Sequence, residues 1–221
     1  WSASSDPPMS GEAQKRATRV PLVLYVILGL CLIPELVLIG ADKGLWGSPL
    51  WRNLVYQYGA FWPGLLDNWR ANYPLQSVIM FLSYGFLHAG VWHFALNMMT
   101  LFSLGTPLAN DLGQRRFLAL YAAAIFGGAL GYALLGQGSQ PMVGASGALF
   151  GLAAAFIRRD WRAAPEGKAA QALFLPILGL IALNVLMYWT MGGRLAWQTH
   201  LGGFIAGWMA AVFLAPPARS G

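Results

Sequence analysis

The chain has 221 residues, of which 57% are hydrophobic and only 10% are charged, and its mean hydropathy is +0.53. A soluble domain carries about 25% charged residues, so this composition excludes an ordinary soluble protein and predicts a membrane protein. The net charge of +6 is explained by basic loops beside a membrane and requires no nucleic-acid partner.

The two ends of the chain differ in composition from its middle. Residues 1–20 are polar and Pro-containing, which predicts a disordered tail. We expect residues 1–8 to precede a natural start at Met9. The remainder is interpreted as one membrane domain, residues 21–216, followed by a short tail, residues 217–221.

Six apolar segments cross a bilayer in our interpretation, because about 20 helical residues span the hydrocarbon. The predicted spans are residues 21–40, 91–108, 117–135, 146–157, 169–190 and 199–214, of which the fourth is short. The sequence therefore predicts an all-α membrane protein, a bundle of six transmembrane helices.

The segment between the first two spans is different in character. Residues 41–75 are rich in Trp and Tyr among scattered charges, which is typical of the membrane–water interface. We expect short amphipathic helices that lie in the interface. The apolar run at residues 78–87 predicts a further shallow helix, and this apolar stretch is interrupted near His88.

Basic residues give the orientation. The N-terminal tail, two predicted polar loops at 110–116 and 158–168, and the C-terminus hold ten of the fourteen Lys and Arg residues. With six spans these ten fall on one side, as the positive-inside rule requires. Both termini are then cytoplasmic. Glu35 lies within the first span, where we expect it to be paired or hydrated near the outer interface.

The fourth span begins at a glycine-framed serine, Gly144-Ala145-Ser146-Gly147. Glycines allow a sharp turn and leave room beside the hydroxyl, and the free N–H groups of a helix start favour negative charge. These are the requirements of a nucleophilic serine and its oxyanion. The alternative is a tightly packed helix start with a capping serine.

His200 opens the sixth span at a depth close to that of Ser146. Ser146 lies twelve residues before Arg158, which is about 18 Å of helix and places it roughly 10 Å below the outer surface. After each polar group, small residues recur every four positions, and such stripes allow two helices to pack closely. The stripes are Gly147, Gly151 and Ala155 on one helix, and Gly203, Gly207 and Ala211 on the other. The matching depths favour catalysis over an incidental buried histidine.

The second span adds His93 and Asn97, four residues apart on one helical face, with His88 ahead of them at the turn. Two hydrogen-bond donors on one face could stabilise an oxyanion. The alternative is a pair of polar contacts between helices.

Taken together, these motifs resemble the rhomboid intramembrane serine proteases of the bacterial six-helix form. The resemblance rests on Gly144-Ala145-Ser146-Gly147, on His93-x-x-x-Asn97 with His88 ahead of it, and on His200-x-x-Gly203-x-x-x-Gly207. The outer loop departs from the family pattern, because Leu75-Gln76 stands near the place where the family often has Trp-Arg or Trp-Gln.

The resemblance implies a Ser146–His200 dyad without an orienting aspartate, and an oxyanion hole formed by the Ser146 N–H, His93 and Asn97. It places Phe150 against the catalytic histidine and gives His88, with the glycines, a supporting role. It further implies single-span membrane proteins as substrates, cleaved near the outer side of the bilayer, no cofactor or metal, and a bacterial inner membrane location. It leaves the oligomeric state open.

Two other functions fit parts of the sequence. One is an inactive rhomboid-like protein that binds or traffics membrane proteins, which would be expected to lack Ser146 or His200. The other is a small transporter with a proton path through its histidines and Glu35. That path would need polar groups near the cytoplasmic side, and residues 152–157 and 205–214 offer almost none.

Overall fold

The structure is a computed structural model that describes residues 19–136 and 140–214. Most of the predicted N-terminal tail, and the whole of the predicted C-terminal tail, lie outside the described residues. The domain boundaries at either end therefore stay predictions.

Eight α-helices follow one another in the described part of the chain. They are α1 (Leu22–Asp42), α2 (Trp51–Gly59), α3 (Gln76–Ser83), α4 (Val91–Leu112), α5 (Gln114–Leu135), α6 (Ser146–Ala163), α7 (Ala169–Thr190) and α8 (Trp197–Leu214). Short 3-10 helices cover Pro63–Leu66 and Tyr84–Phe86. Six of the helices, α1 and α4 to α8, occupy the predicted spans.

Three helices, α1, α5 and α7, are individually long and apolar enough to cross a membrane, and the bent pair of α3 and α4 would be a fourth. The two parts of this pair meet at 80°. Helices α6 and α8 fall below that criterion because α6 ends in charged residues and α8 begins with Gln198, Thr199 and His200. The fold is an all-α membrane bundle, as the sequence predicts.

The first predicted polar loop, 110–116, is helical except at Gly113, so that prediction is wrong, whereas the second, 158–168, is shortened to residues 164–168. Helix α4 continues to Leu112 and α5 begins at Gln114, with only Gly113 between them in the left-handed region at φ 79°. The polar side chains serve as helix-end partners instead, since Gln114 Oε1 accepts a hydrogen bond of 2.9 Å from the Val23 N–H. In the second loop, α6 extends through Arg158 to Ala163.

Helix α8 lies between α5 and α6, and glycines make both contacts close. A Cβ atom on Gly203 would collide with the Gly147 carbonyl of α6, and one on Gly207 would collide with Gly151. On the other side, Gly202 meets α5 in the same way at Gly131. The small-residue stripes therefore meet as their spacing predicts, which brings the N-terminal ends of α6 and α8 together.

Helix α7 is packed differently from the other long helices. None of its residues is buried, and large apolar side chains such as Leu175 and Trp189 are 62% and 75% exposed. Exposed apolar surface of this extent is suited to lipid. Helix α7 thus lies at the outside of the bundle.

The interfacial segment between α1 and α3 contains α2, as predicted, and is fastened to the bundle. Phe61 is fully buried and exchanges two backbone hydrogen bonds of 3.0 Å with Met142, in the loop before α6. The buried Gln76 side chain donates to the Gln57 carbonyl at 2.6 Å. Gln76 thus holds this segment in place, although the sequence here has Leu75-Gln76 where the family often has Trp-Arg or Trp-Gln.

Candidate active site

Ser146 is the first residue of α6, and the residues before it explain its setting. Gly144 has φ 126°, which favours glycine, and a Cβ atom there would come within 2.7 Å of the His93 ring. The Gly144 N–H donates to the Tyr84 carbonyl at 3.0 Å. No side chain caps the helix start at Ala145. Because no side chain of the cap residue engages them, the first N–H groups of α6 can donate to negative charge at the helix start.

The structure brings Ser146 and His200 together. The distance from His200 Nε2 to Ser146 Oγ is 2.9 Å, and the histidine is 4% exposed. The Phe150 ring, one turn along α6, is stacked on the imidazole, with 4.2 Å between ring centroids and 5° between planes. A hydroxyl within hydrogen-bond distance of a buried, immobilised imidazole is the arrangement that nucleophilic catalysis requires.

His93 presents a donor toward the loop before Ser146. Its Nδ1 accepts a hydrogen bond of 3.2 Å from the Ala89 N–H. A neutral imidazole with an accepting Nδ1 carries its proton on Nε2. This Nε2 lies on the side of the ring that faces Gly144. The neutral ring can therefore donate a hydrogen bond close to Ser146.

Asn97 is 5% exposed and lies one turn after His93. Its amide Nδ2 donates to the His93 carbonyl at 2.7 Å, and its Oδ1 has no hydrogen-bond partner among the described residues. The contact with a carbonyl oxygen identifies the nitrogen end of the amide. One N–H of Asn97 is therefore engaged with its own helix, and the second is free of that bond.

His88 lies at the bend between α3 and α4 and is fully buried. Its ring packs edge-on against His93, with 5.3 Å between centroids, and neither ring nitrogen has a hydrogen-bond partner in the described part of the chain. Its carbonyl accepts hydrogen bonds from Arg52 at 2.9 Å and from the Tyr56 hydroxyl at 2.8 Å. His88 is therefore held through its backbone, beside the His93 ring.

The expected pairing of Glu35 is confirmed, because Arg52 binds its carboxylate. The Glu35 carboxylate is 1% exposed and accepts two hydrogen bonds of 3.1 Å from Arg52, which also donates to Asp42 at 2.7 Å. Burial alone would lower the pKa of Arg52, but hydrogen bonds with Glu35 and Asp42 raise it above its ordinary value. The guanidinium stays charged and fixes α2 against α1 and the His88 bend.

One site residue was not identified from the sequence. The Asn184 side chain of α7 lies with Oδ1 2.6 Å from His200 Nδ1. The sequence carries a signal for this residue, because Asn184 is a polar residue within an apolar span. Asn184 and His200 also border a cavity of about 490 Å³ between α7 and α8, otherwise lined mainly by apolar and aromatic side chains.

Comparison with known proteins agrees with the architecture. The sequence model of a family described as Rhomboid domain matches residues 75–217, which is more than half of the chain and includes Ser146 and His200.

Curated relatives match somewhat more than half of the chain. RHOMBOID-like protein 5 of Arabidopsis thaliana is 34% identical over 132 residues, 58% of this chain and 41% of that protein. Rhomboid protein 1, mitochondrial, of Saccharomyces cerevisiae is 32% identical over 142 residues, which are 59% of this chain and 40% of that protein. Presenilin-associated rhomboid-like protein, mitochondrial, of Homo sapiens is 33% identical over 135 residues, which are 55% of this chain and 34% of that protein.

The chain spans about two fifths or less of the length of these relatives. Because they come from a plant, a yeast and a mammal, the bacterial inner membrane stays a prediction, whereas an integral membrane location agrees with the helices. The fold and the extent of the family match together show that this chain belongs to the rhomboid family.

Proposed function

We propose that the protein is an intramembrane serine endopeptidase that cleaves transmembrane segments with a Ser146–His200 dyad. The observation that carries the proposal is the 2.9 Å separation of Ser146 Oγ and His200 Nε2 inside a buried helical interface. General base catalysis requires contact at this distance.

The reaction follows from that contact. His200 Nε2 accepts the Ser146 proton while Oγ attacks the peptide carbonyl carbon, and the carbonyl oxygen becomes an oxyanion. His200 then gives the proton to the leaving amine, so that the C–N bond breaks and an acyl-enzyme remains. Water, activated by the same histidine, attacks the ester and releases the second product, which restores the Ser146 hydroxyl.

The oxyanion is stabilised by N–H groups at the start of α6 and by donors on α4. Support for the first comes from the uncapped helix start at Ser146. Support for the second comes from the His93 tautomer, which leaves Nε2–H free to donate near Gly144. Asn97 contributes the N–H that its bond to the His93 carbonyl leaves over.

The proposed substrates are membrane proteins, and the cut lies near the outer side of the bilayer. The α6 residues between Ser146 and Arg158 rise about 18 Å, so the serine lies roughly 10 Å below the outer surface. A substrate span must unwind there to present a peptide bond. The lipid bilayer surrounds the enzyme, and both termini lie on the cytoplasmic side, where the basic residues are concentrated.

A serine-directed fluorophosphonate probe tests the proposal on the full chain in detergent or membranes. Labelling of the wild type that is lost in Ser146→Ala and strongly reduced in His200→Ala supports a serine hydrolase. Ser103→Ala, which removes an exposed serine from α4, is the control and retains labelling. An inactive binding or trafficking protein, or a transporter, would give no labelling that depends on Ser146.

Proteolysis is the second readout. A purified single-span substrate should be cleaved by the wild type but not by Ser146→Ala or His200→Ala, because the two residues act as a unit. Both variants should remain folded. Substantial cleavage by Ser146→Ala would rule out the proposed mechanism.

A further inference from the structure

The face of His200 opposite Ser146 is held by Asn184. His200 Nδ1 lies 2.6 Å from Asn184 Oδ1, while Asn184 Nδ2 donates to the Leu180 carbonyl at 2.9 Å. The bond to a carbonyl identifies the nitrogen end of the amide, so the atom facing the imidazole is oxygen. An amide oxygen only accepts hydrogen bonds, and His200 Nδ1 must therefore carry a proton.

This assignment determines which form of His200 faces the serine. A neutral imidazole with its proton on Nδ1 has a lone pair on Nε2, the atom 2.9 Å from Ser146 Oγ. That is the tautomer that accepts a proton from a serine hydroxyl. The Phe150 stack fixes the plane of the ring, but a stacked aromatic face does not select between the two tautomers.

We propose that Asn184 is a positioning residue for His200, which selects its Nδ1–H tautomer and stabilises the imidazolium that forms during the reaction. The proposal rests on the proposed function. It adds a third member, contributed by α7, to a site that the sequence predicts as a dyad.

Few other groups can perform this role. Titratable groups around the site include His93 of α4, whose neutral ring lies beside Gly144, and Tyr188 of α7, which borders the same cavity. On α6, Ser146 and Phe150 face the ring, and neither is charged. The described residues that line the cavity include no carboxylate and no arginine or lysine. Asn184 therefore supplies the acceptor on the Nδ1 side.

The test compares three variants by the pH dependence of fluorophosphonate labelling and of substrate turnover. Asn184→Leu keeps the number and branching of the heavy atoms but removes the acceptor, and Asn184→Asp keeps an acceptor and adds charge. Val185→Ala removes apolar volume from the same cavity wall without touching the hydrogen bond. Thermal unfolding in detergent establishes that each variant is folded.

Asn184→Leu should reduce turnover about 10- to 100-fold, within the contribution of a positioned general base. The acidic limb of its pH–rate profile should move to lower pH, because the imidazolium loses its acceptor. Asn184→Asp should move that limb to higher pH and keep turnover above that of Asn184→Leu. Val185→Ala should leave the limb in place.

A purely structural Asn184 gives a different result. The acidic limb would then stay in place in both Asn184 variants, and any loss of rate would follow stability alone, which overturns the inference. If Asn184→Leu does not fold, the acidic limb of Asn184→Asp decides: a move to higher pH supports the inference, and no move overturns it. Failure of the proposed function is distinguishable, since wild-type labelling would then not depend on Ser146.

Discussion

The Glu35 carboxylate of α1 and the Arg52 guanidinium of α2 form a bidentate ion pair, with two hydrogen bonds of 3.1 Å, in a place where the carboxylate is 1% exposed. Arg52 also holds the His88 carbonyl at 2.9 Å. The pair thus connects the interfacial segment, the first span and the bend beside the candidate oxyanion donors. A glutamate in a predicted span has here a structural role.

We expect Glu35→Gln to destabilise the protein by about 3–5 kcal/mol, because it leaves a largely buried guanidinium with a weaker partner. The cost lies toward the low side of that range since Asp42 still accepts from Arg52. Asp42→Asn, at the more exposed partner, is the matched control and should cost less. Equilibrium unfolding in mixed micelles measures the loss of stability in both variants. Equal losses would show that Glu35 is no more important to the ion pair than Asp42.

We expect Gly207→Leu to destabilise the bundle by at least 1–3 kcal/mol, the usual cost of overpacking, and to abolish proteolysis. The leucine side chain would meet the Gly151 backbone of α6 and push α8 away, which separates Ser146 from His200. Gly29→Leu is the control, because a Cβ atom there meets nothing within 4 Å. Wild-type thermal stability and activity in Gly207→Leu would show that the helices do not meet there.

The spans and the start of α6 could be predicted from sequence because each has a local cause. Apolar runs of sufficient length predict helices in a membrane, and glycine on both sides of Ser146 marks a helix start. The Gly203 and Gly207 spacing also predicts which faces meet, since small residues allow close approach. These arguments need no knowledge of distant parts of the chain.

The position of Asn184 could not be predicted in the same way. Helix α7 is apolar on nearly all sides, so its sequence does not determine which face turns toward His200. The Phe61–Met142 backbone pair joins two loops far apart in sequence, and no periodicity predicts such a contact. The predicted loop at 110–116 is wrong because polar residues at a membrane boundary can remain helical when side chains such as Gln114 satisfy helix ends.

We expect Asn97→Ala to lower turnover by roughly 100- to 1000-fold, the range for one lost oxyanion donor, with a smaller change in KM. Thr100→Ala is the control on the same helix, since its hydroxyl also donates to a carbonyl one turn earlier, at 2.9 Å, but is exposed. Steady-state kinetics on a fluorogenic transmembrane peptide distinguishes the two. An unchanged turnover number in Asn97→Ala would assign Asn97 to helix structure alone.

We expect substrates to reach Ser146 beside α7 and not beneath the interfacial segment. Helix α7 buries none of its residues, whereas Phe61 and Gln76 fasten the interfacial segment to the bundle. Ile181→Ala, which thins the apolar contact bordering the cavity, should raise turnover of a transmembrane substrate by roughly 2- to 10-fold if access is rate-limiting. Labelling by a small fluorophosphonate should change little.

The corresponding change in the interfacial segment gives the opposite result. Phe61→Ala removes a fully buried ring and should cost about 3–5 kcal/mol of stability without accelerating cleavage. Faster cleavage in Phe61→Ala, together with no effect of Ile181→Ala, would show that the interfacial segment moves to admit the substrate.

We expect cleavage of single-span proteins after a small residue, near the outer end of the substrate span. The serine lies about 18 Å of helix from Arg158, so the scissile bond must reach a depth of roughly 10 Å below the outer surface. Glycine or proline just below the cut should accelerate cleavage because each lowers the cost of unwinding a helix. The confined space between the Gly144 loop and the His93 ring favours a residue such as alanine before the cut.

Mass spectrometry of the products from paired substrates, with Ala or Phe at that position, locates the cut and compares the rates. Cleavage in the cytoplasmic third of the span would contradict the depth argument, and equally fast cleavage after Phe would contradict the confined site.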